Sequence, residues 1–352
     1  MTWPAYLTSE LQSVTDGTCY IEPRHFPEAL AKHRPRGQAW RYHGKWTTYC
    51  PSRSLTYKNV RRLDPRSDED FWTVLSEARA ANMNPPTSFA DFFMSCYRAP
   101  LARGSVVAPF RRFTFGGWQT VFQRGEFTGK FYLYDLNSAY RWAASCGLPH
   151  PGTAYPTKDF SKQQAIYLVE LPINVIPYQR GGRLAVVTSE ERDFFGLQSV
   201  TTLKVRYGVA FRSEVSLAET FEKIDKQFPA SAKRISRAFW GLWNTTAAPQ
   251  QVSWKHGEKI RDLRNPFFNP IWSAFVTSRV KLRMALHRTR ALRIYTDSIL
   301  TTEEIPTGQG IGEFKEVREF DNIWIRHAGY WGTRDETLAA SGVRRPAHLT
   351  TF

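Results

Sequence analysis

Apolar residues fall in short runs separated by polar breaks rich in Gly and Pro, and the spacing within each run predicts its element. Residues 1–66 carry only brief apolar stretches, such as Trp46 to Tyr49, and read as loops and short strands. From Ser67 to Arg79 the spacing is helical, with Asp68, Glu69 and Asp70 at the end where the helix dipole favours negative charge. Ser88 opens a second short helix through FADFFMSCY. The aromatic run Phe131 to Tyr134 predicts a strand ending at Asp135. A helix follows from Ser138 to Cys146, stopped by Gly147 and Pro149. Further strands are predicted at Ile166–Leu171 and Leu203–Phe211, and helices near Ser216–Gln227 and Ser231–Trp243.

A long helix from about Pro270 to Arg290 places Ile271, Phe275, Val276, Val280 and Leu286 as its apolar set. Arg279, Lys281, Arg283 and Arg288 make the same helix strongly basic. The segments ALRIY, TDS and ILTT then read as strand, tight turn and strand, with Asp297 at the tip. Mixed strands and helices in this order predict an α+β fold, an antiparallel sheet with helices on one face.

The 352 residues carry 42% hydrophobic and 23% charged side chains, enough for a substantial core and unlike a disordered chain. A net charge of +16 suits a polyanionic partner, because each neutralised phosphate releases counterions. With 12 Trp, 15 Tyr and 24 Phe, the chain also has rings to stack on unpaired bases, which favours nucleic acid. Cys19, Cys50, Cys96 and Cys146 are far apart and form no CxxC pair, so neither a disulfide framework nor a zinc site is expected. The start MTWPAYLTSE lacks a signal-peptide pattern, and no apolar run approaches ~18 residues. A cytoplasmic protein with no membrane partner is the expectation.

Two carboxylates stand out by context. Asp135 closes an aromatic strand inside FYLYDLNSAY, and Asp297 sits in the turn of RIYTDSILTT. A carboxylate at a strand end, before a sharp turn, points outward with free lone pairs. Two on neighbouring strands would clamp a pair of Mg²⁺ or Mn²⁺ ions, which take one or two carboxylates plus substrate phosphates. Taken singly, each is structural more often than not, Asp135 as a turn former and Asp297 as a hairpin residue. In KRISRAFWG, a helix would put Lys233, Arg237 and Trp240 on one face, two cations and a flat ring. A solvated basic face is the alternative there.

Together these segments resemble the ordered motifs of family B DNA polymerases, particularly the protein-primed phage branch. YDLNSAY is similar to the first palm motif, KRISRAFWG to the fingers helix, and YTDS to the second palm motif. NPIWSAFVTSRVKLR resembles the palm helix before the last catalytic hairpin. RFTFGGW resembles the template-binding turn, and IRHAGYW occupies the place of the Lys-x-Tyr primer motif. The likeness spans roughly Arg112 to Trp331.

The resemblance implies a DNA-directed DNA polymerase acting on a primer–template and deoxynucleoside triphosphates with two Mg²⁺ or Mn²⁺ ions. Asp135 and Asp297 would be the catalytic, metal-binding carboxylates, with the Leu136 carbonyl a further ligand. Tyr140 would gate the sugar. Lys233, with Lys226 as helper, would hold the incoming phosphates, while Arg237 and Trp240 complete the nucleotide face. Gly116, Gly117 and Ser138 would lie against DNA, and Arg326 and Tyr330 would hold the primer. The implied organisation is an N-terminal region at 1–110, palm and fingers at 111–331 with fingers about 214–245, and a tail or vestigial thumb at 332–352.

Departures from the family pattern qualify this. Tyr295 replaces the first Asp of the usual hairpin pair, Arg237 replaces Asn, and Ala328 replaces the primer-contacting Lys. No Asp-x-Glu exonuclease motif occurs in residues 1–110, and Asp70 stands alone as a relic of the last one. The N-terminal region would then be a degenerate exonuclease-like remnant without proofreading. Short stretches at 181–203 and 241–269, with little chain after Trp331, imply a minimal form lacking the insertions and most of the thumb. Such an enzyme would be distributive, with room for a processivity or priming protein. The alternative reading is a catalytically weak nucleic-acid-binding protein that keeps a polymerase fold as a scaffold. A nuclease using the same two aspartates is a third.

Overall fold

The computed structural model describes residues 115–172, 174–179, 183–244 and 268–340. It also describes short pieces at 6–7, 20–21, 39–43, 46–47, 61–62, 77, 80–81, 106, 108–110, 113, 251–253 and 259–261. The chain divides into two compact units, one of residues 100–218 and 269–352, the other of residues 1–99 and 219–268.

The first unit is built on a seven-stranded antiparallel sheet. Its strands are β1 (Gln119–Val121), β2 (Gly125–Leu136), β3 (Ala291–Tyr295), β4 (Ser298–Thr301), β5 (Phe314–His327), β6 (Tyr330–Gly332) and β7 (Thr337–Ala340). They lie in the order β7-β6-β5-β2-β4-β3-β1, so β2 is central, between β5 and β4. In β2, Tyr134 and Leu136 are buried while Asp135 between them is half-exposed. The strand's two-residue period thus sends the carboxylate away from the buried face. Phe131, Leu292, Leu300, Phe320, Ile323, Ile325 and Trp331 pack as one cluster from five of the strands.

Beside this sheet, helices α1 (Ala139–Ser145), α2 (Ser189–Phe194) and α3 (Pro270–Ala285) carry the support. Ser138 and Cys146 flank α1, and Gly147 at φ +81° ends it in the left-handed conformation that glycine supplies without strain. Helix α3 starts with Pro270 after Asn269, whose side chain accepts from the Trp272 amide at 3.2 Å. It is buried on nearly every side, from Ile271 through Val280 to Met284. The helix ends at Ala285 rather than Arg290, and Leu286, expected on the apolar face, is exposed in the turn that follows.

A second, four-stranded antiparallel sheet orders Leu184–Thr188, Ala165–Glu170, Lys204–Ala210 and Tyr155–Thr157. It buries Tyr167, Val169, Val187 and Leu197 among others. The two strands predicted here form within a residue or so of their expected bounds. The strand Leu184–Thr188 and the helix after it were not predicted.

In the second unit, helices span Ala218–Gln227 and Ala232–Asn244, close to the predicted pair. They bury Phe221, Ile224, Ile235, Phe239 and Trp243, and Phe239 tilts against Phe221 at 5.4 Å and Trp243 at 4.5 Å. The Ala230 amide donates to Glu77 Oε1 at 2.9 Å. Short strands at Ala39–His43, Trp46–Thr47, Gln251–Ser253 and Lys259–Arg261 form one small sheet. Tyr6–Leu7, Tyr20–Ile21 and Arg61–Arg62 form a parallel one. Glu77 is helical; the rest of the predicted Ser67–Arg79 helix, and the helix after Ser88, lie outside the described residues.

The architecture is the mixed helix-and-strand fold on an antiparallel sheet that the sequence pattern predicted, and the sheet is curled. Among the described residues, no helix is long and apolar enough to cross a membrane.

Candidate active site

Strand pairing brings the two singled-out aspartates together. Asp135 on β2 faces Ser298 on β4, the residue next to Asp297, and the Leu136 amide donates to the Asp297 carbonyl at 2.8 Å. Tyr295 pairs with Ser298, so Thr296 and Asp297 form the two-residue connection of the β3–β4 hairpin.

Positive φ occurs at Thr296 (+57°), next to Asp297, and at Ser138 (+50°), three residues after Asp135. A β-branched residue in that region is strained and persists only where its surroundings fix it. Thr296 is fixed firmly. Its amide donates to the Trp118 carbonyl at 2.7 Å, and its hydroxyl lies 2.6 Å from Asp297 Oδ1 and 2.7 Å from the Tyr295 carbonyl. Gly117 lies against the same turn, since a Cβ there would sit 2.8 Å from Thr296 Cγ2 and 3.0 Å from its Cα. Gly116 faces open space. The FGGW segment therefore adjoins the hairpin, and only its second glycine is sterically required.

On the other side of β2, Lys315 of β5 is directly opposite Asp135, with Nζ 3.7 Å from Oδ2. Sequence reasoning missed this lysine. The loop before β5 is latched to the turn after Asp135. Asn137 receives the Gly312 amide at its carbonyl (2.8 Å), donates its own amide to Glu313, and sends Nδ2 to the Gln309 and Gly310 carbonyls. Gly312, at φ +78°, lies so close to the Trp142 ring that a side chain there would collide with it. Tyr140 follows on the first turn of α1 and is half-buried.

Helix α3 ties these parts into one scaffold. Trp272 Nε1 donates to the Pro149 carbonyl at 2.8 Å and Thr277 Oγ1 to the Phe115 carbonyl at 3.2 Å. Arg279 donates to the Ala143 carbonyl of α1 at 2.7 Å and grips Glu190 of α2 through Nε and Nη2, at 2.6 Å for the shortest bond. Lys281 sits over the Tyr178 ring at 4.6 Å. Arg279 and Lys281, expected only to make the helix basic, are used inside the unit.

The IRHAGYW segment spans the β5–β6 turn. Tyr330 is half-buried, edge-on to Trp324 at 5.0 Å, and Arg326 is exposed with Glu126 3.9 Å away. Ala328 is buried, and its carbonyl accepts from Arg293 Nε. That arginine is 3% exposed, lies over the Tyr295 and Trp331 rings at 5.2 and 5.1 Å, and is pushed down to about 10 by burial. Tyr295, at the start of the hairpin turn, is thus a wall for a buried cation.

On the other unit, the helix Ala232–Asn244 carries Lys233, Arg237 and Trp240, with Lys233 exposed and Trp240 half-buried. Lys226 is exposed near the end of the preceding helix. The opposite face buries Ile235, Phe239 and Trp243, as a helical reading of KRISRAFWG requires.

Among the described residues, no group of three or more His, Cys, Asp or Glu side chains could hold a metal ion. The oxygen donors Asp135, at the end of β2, and Asp297, in the adjoining hairpin turn, fit a Mg²⁺ centre completed by substrate phosphates, since that ion needs few protein ligands.

No protein-family model matches the chain, and a search of curated protein sequences found no match. Solved structures do match. The chain is similar to Phi29 DNA polymerase complexed with primer–template DNA at TM-score 0.61 and 13% identity, covering 91% of this chain and 81% of that one. The same polymerase complexed with single-stranded DNA gives 0.61 and 14% over the same shares. Its ternary complex with primer–template DNA and incoming nucleotides gives 0.59 and 13%, over 91% and 82%. At this identity the likeness is one of fold: the chain has a polymerase-like fold.

Proposed function

We propose that this protein is a template-directed DNA polymerase of the family B, protein-primed type, without proofreading and distributive, working in the cytoplasm. The observation that carries the reading is the closeness of the Asp135 end of β2 to the Asp297 turn, in a fold like that of Phi29 DNA polymerase. Two bound Mg²⁺ or Mn²⁺ ions would lower the pKa of the primer 3′-hydroxyl and neutralise the triphosphate as pyrophosphate leaves.

The chain's own groups supply the rest. Asp135, Asp297 and the Leu136 carbonyl would hold the ions. Tyr140 packs beneath the sugar and rejects a 2′-hydroxyl. Lys226, Lys233 and Arg237 bind phosphate, and Trp240 stacks on the nascent pair. Gly116, Gly117 and Ser138 line the template path, while Tyr330 and Arg326 hold the primer strand.

One pair of observations favours a second reading, a weakly catalytic DNA-binding scaffold. Tyr295 stands where a carboxylate is usual, and Lys315 occupies Asp135. Primer extension with Mg²⁺ or Mn²⁺ separates the two. The polymerase reading expects extension that Asp135→Asn and Asp297→Asn each lower by about a hundred- to a thousandfold, the scale of removing a key electrostatic group. DNA binding without extension by the wild-type chain supports the scaffold, and shortened primers support a nuclease. Tyr140→Ala should admit ribonucleotides; unchanged sugar selectivity would remove Tyr140 from the gate.

A further inference from the structure

We propose that Lys315 is a resident cation of the candidate metal site, which holds the Asp135 carboxylate in the metal-free protein and competes with a divalent ion for it. This rests on the polymerase reading of Asp135 and Asp297 and adds a residue that sets how tightly the site takes metal.

Register carries the argument. Residues directly opposite in an antiparallel pair project to the same face, so Lys315 and Asp135 emerge side by side. Their 3.7 Å separation is an ion pair longer than a direct hydrogen bond. The ammonium is thus drawn to the carboxylate without being locked to it. Both side chains are partly open, 40% exposed for Lys315 and 37% for Asp135, so the lysine has room to withdraw. Across β2 the facing residue is Ser298, which is neutral. The Glu313 carboxylate, on the chain just before β5, is bound to the Gly310 amide at 2.6 Å. Lys315 is therefore the cation that meets Asp135 from the β5 side.

The charge balance gives the lysine its effect. With Tyr295 in place of a carboxylate, Asp135 and Asp297 carry two negative charges, and Lys315 offsets one of them. A divalent ion at Asp135 must displace the ammonium or accept its repulsion. Removing the lysine removes that offset.

The test is direct Mn²⁺ binding to the full chain without DNA or nucleotide, read by electron paramagnetic resonance of the free ion. Lys315→Met should bind Mn²⁺ about 3- to 30-fold tighter than wild type, the scale of one nearby charge at a partly screened site. Lys315→Arg, which keeps the charge, should stay near wild type. The gain should shrink as salt is raised. Lys315→Gln serves as a second neutral variant if the methionine protein does not fold. Equal or weaker Mn²⁺ binding in the neutral variants overturns the role of Lys315 alone. If no chain binds Mn²⁺ saturably, or Asp135→Asn leaves binding unchanged, the metal-site reading falls and takes this inference with it.

Discussion

The Leu136 amide donates to the Asp297 carbonyl at 2.8 Å, one hydrogen bond beyond the last paired residues of β2 and β4. That bond extends the ladder into the turn, and so the position of Asp297 depends on the turn's backbone rather than on its side chain. Whatever displaces Thr296 therefore displaces Asp297.

Gly117→Ala is the sharpest way to do so. The added methyl would meet Thr296 at 2.8–3.0 Å, with backbone among the atoms met. Overpacking of this kind costs about 1–3 kcal/mol. Gly116→Ala, facing open space, should change stability by less than about 0.5 kcal/mol. Urea unfolding of both variants measures the contrast. Equal effects would mean that Gly117 does not lean on the hairpin.

Arg279 and Glu190 should behave as a coupled pair. The side chains are 11% and 31% exposed, so the pair lies between the surface and fully buried cases. Arg279→Met leaves Glu190 and the Ala143 carbonyl without a donor and should cost about 2–3 kcal/mol, discounted from the buried limit because Glu190 still reaches water. Glu190→Gln should cost less, about 1 kcal/mol, because it still accepts. A double-mutant cycle should show the two losses to be non-additive. Simple additivity in thermal melts would show that the contact carries no energy.

His287 predicts an acid-sensitive term in stability. Burial lowers its pKa below the usual 6.5, and the Arg283 and Arg290 cations push the same way; its ring stands edge-on to Phe314 at 5.1 Å. Between the lowered folded value and the ordinary unfolded one, the unfolded chain binds a proton that the folded chain does not. The contribution is therefore complete above about pH 6.5 and is lost as pH falls through and below that value. The urea midpoint of wild type should drop between pH 7 and 5.5 more than that of His287→Gln. Parallel curves would exclude the histidine.

Local signals made most of the site-bearing elements legible. An aromatic run, a glycine stop and a two-residue turn are short-range features, and the β2 strand, α1 and the β3–β4 hairpin formed where those features lay. Strand β5 escaped notice because bulges at 316/318 and 320/322 shift its phase. Its buried positions Phe314, Phe320, Ile323 and Ile325 consequently break the two-residue period, with a wide gap after Phe314 and an odd step from Phe320 to Ile323. Lys315 shares that cause, since only register shows what it faces.

Helix α2 had a readable signal that went unused. Thr188 and Glu191 form a reciprocal capping box, the Thr-x-x-Glu pattern that marks a helix start. The internal use of Arg279 had no such mark. A cation on a helix reads as solvated until tertiary packing supplies Glu190 and a spare carbonyl.

The strand order also bears on how the protein meets its neighbours. The 12- and 14-residue strands β2 and β5 lie in the sheet's interior, while its margins among the described residues are the three-residue β1 and four-residue β7. Brief margins offer little unpaired backbone to a strand from another molecule. Self-association by sheet extension is thereby discouraged, which suits a basic protein that would crowd together along a polyanion.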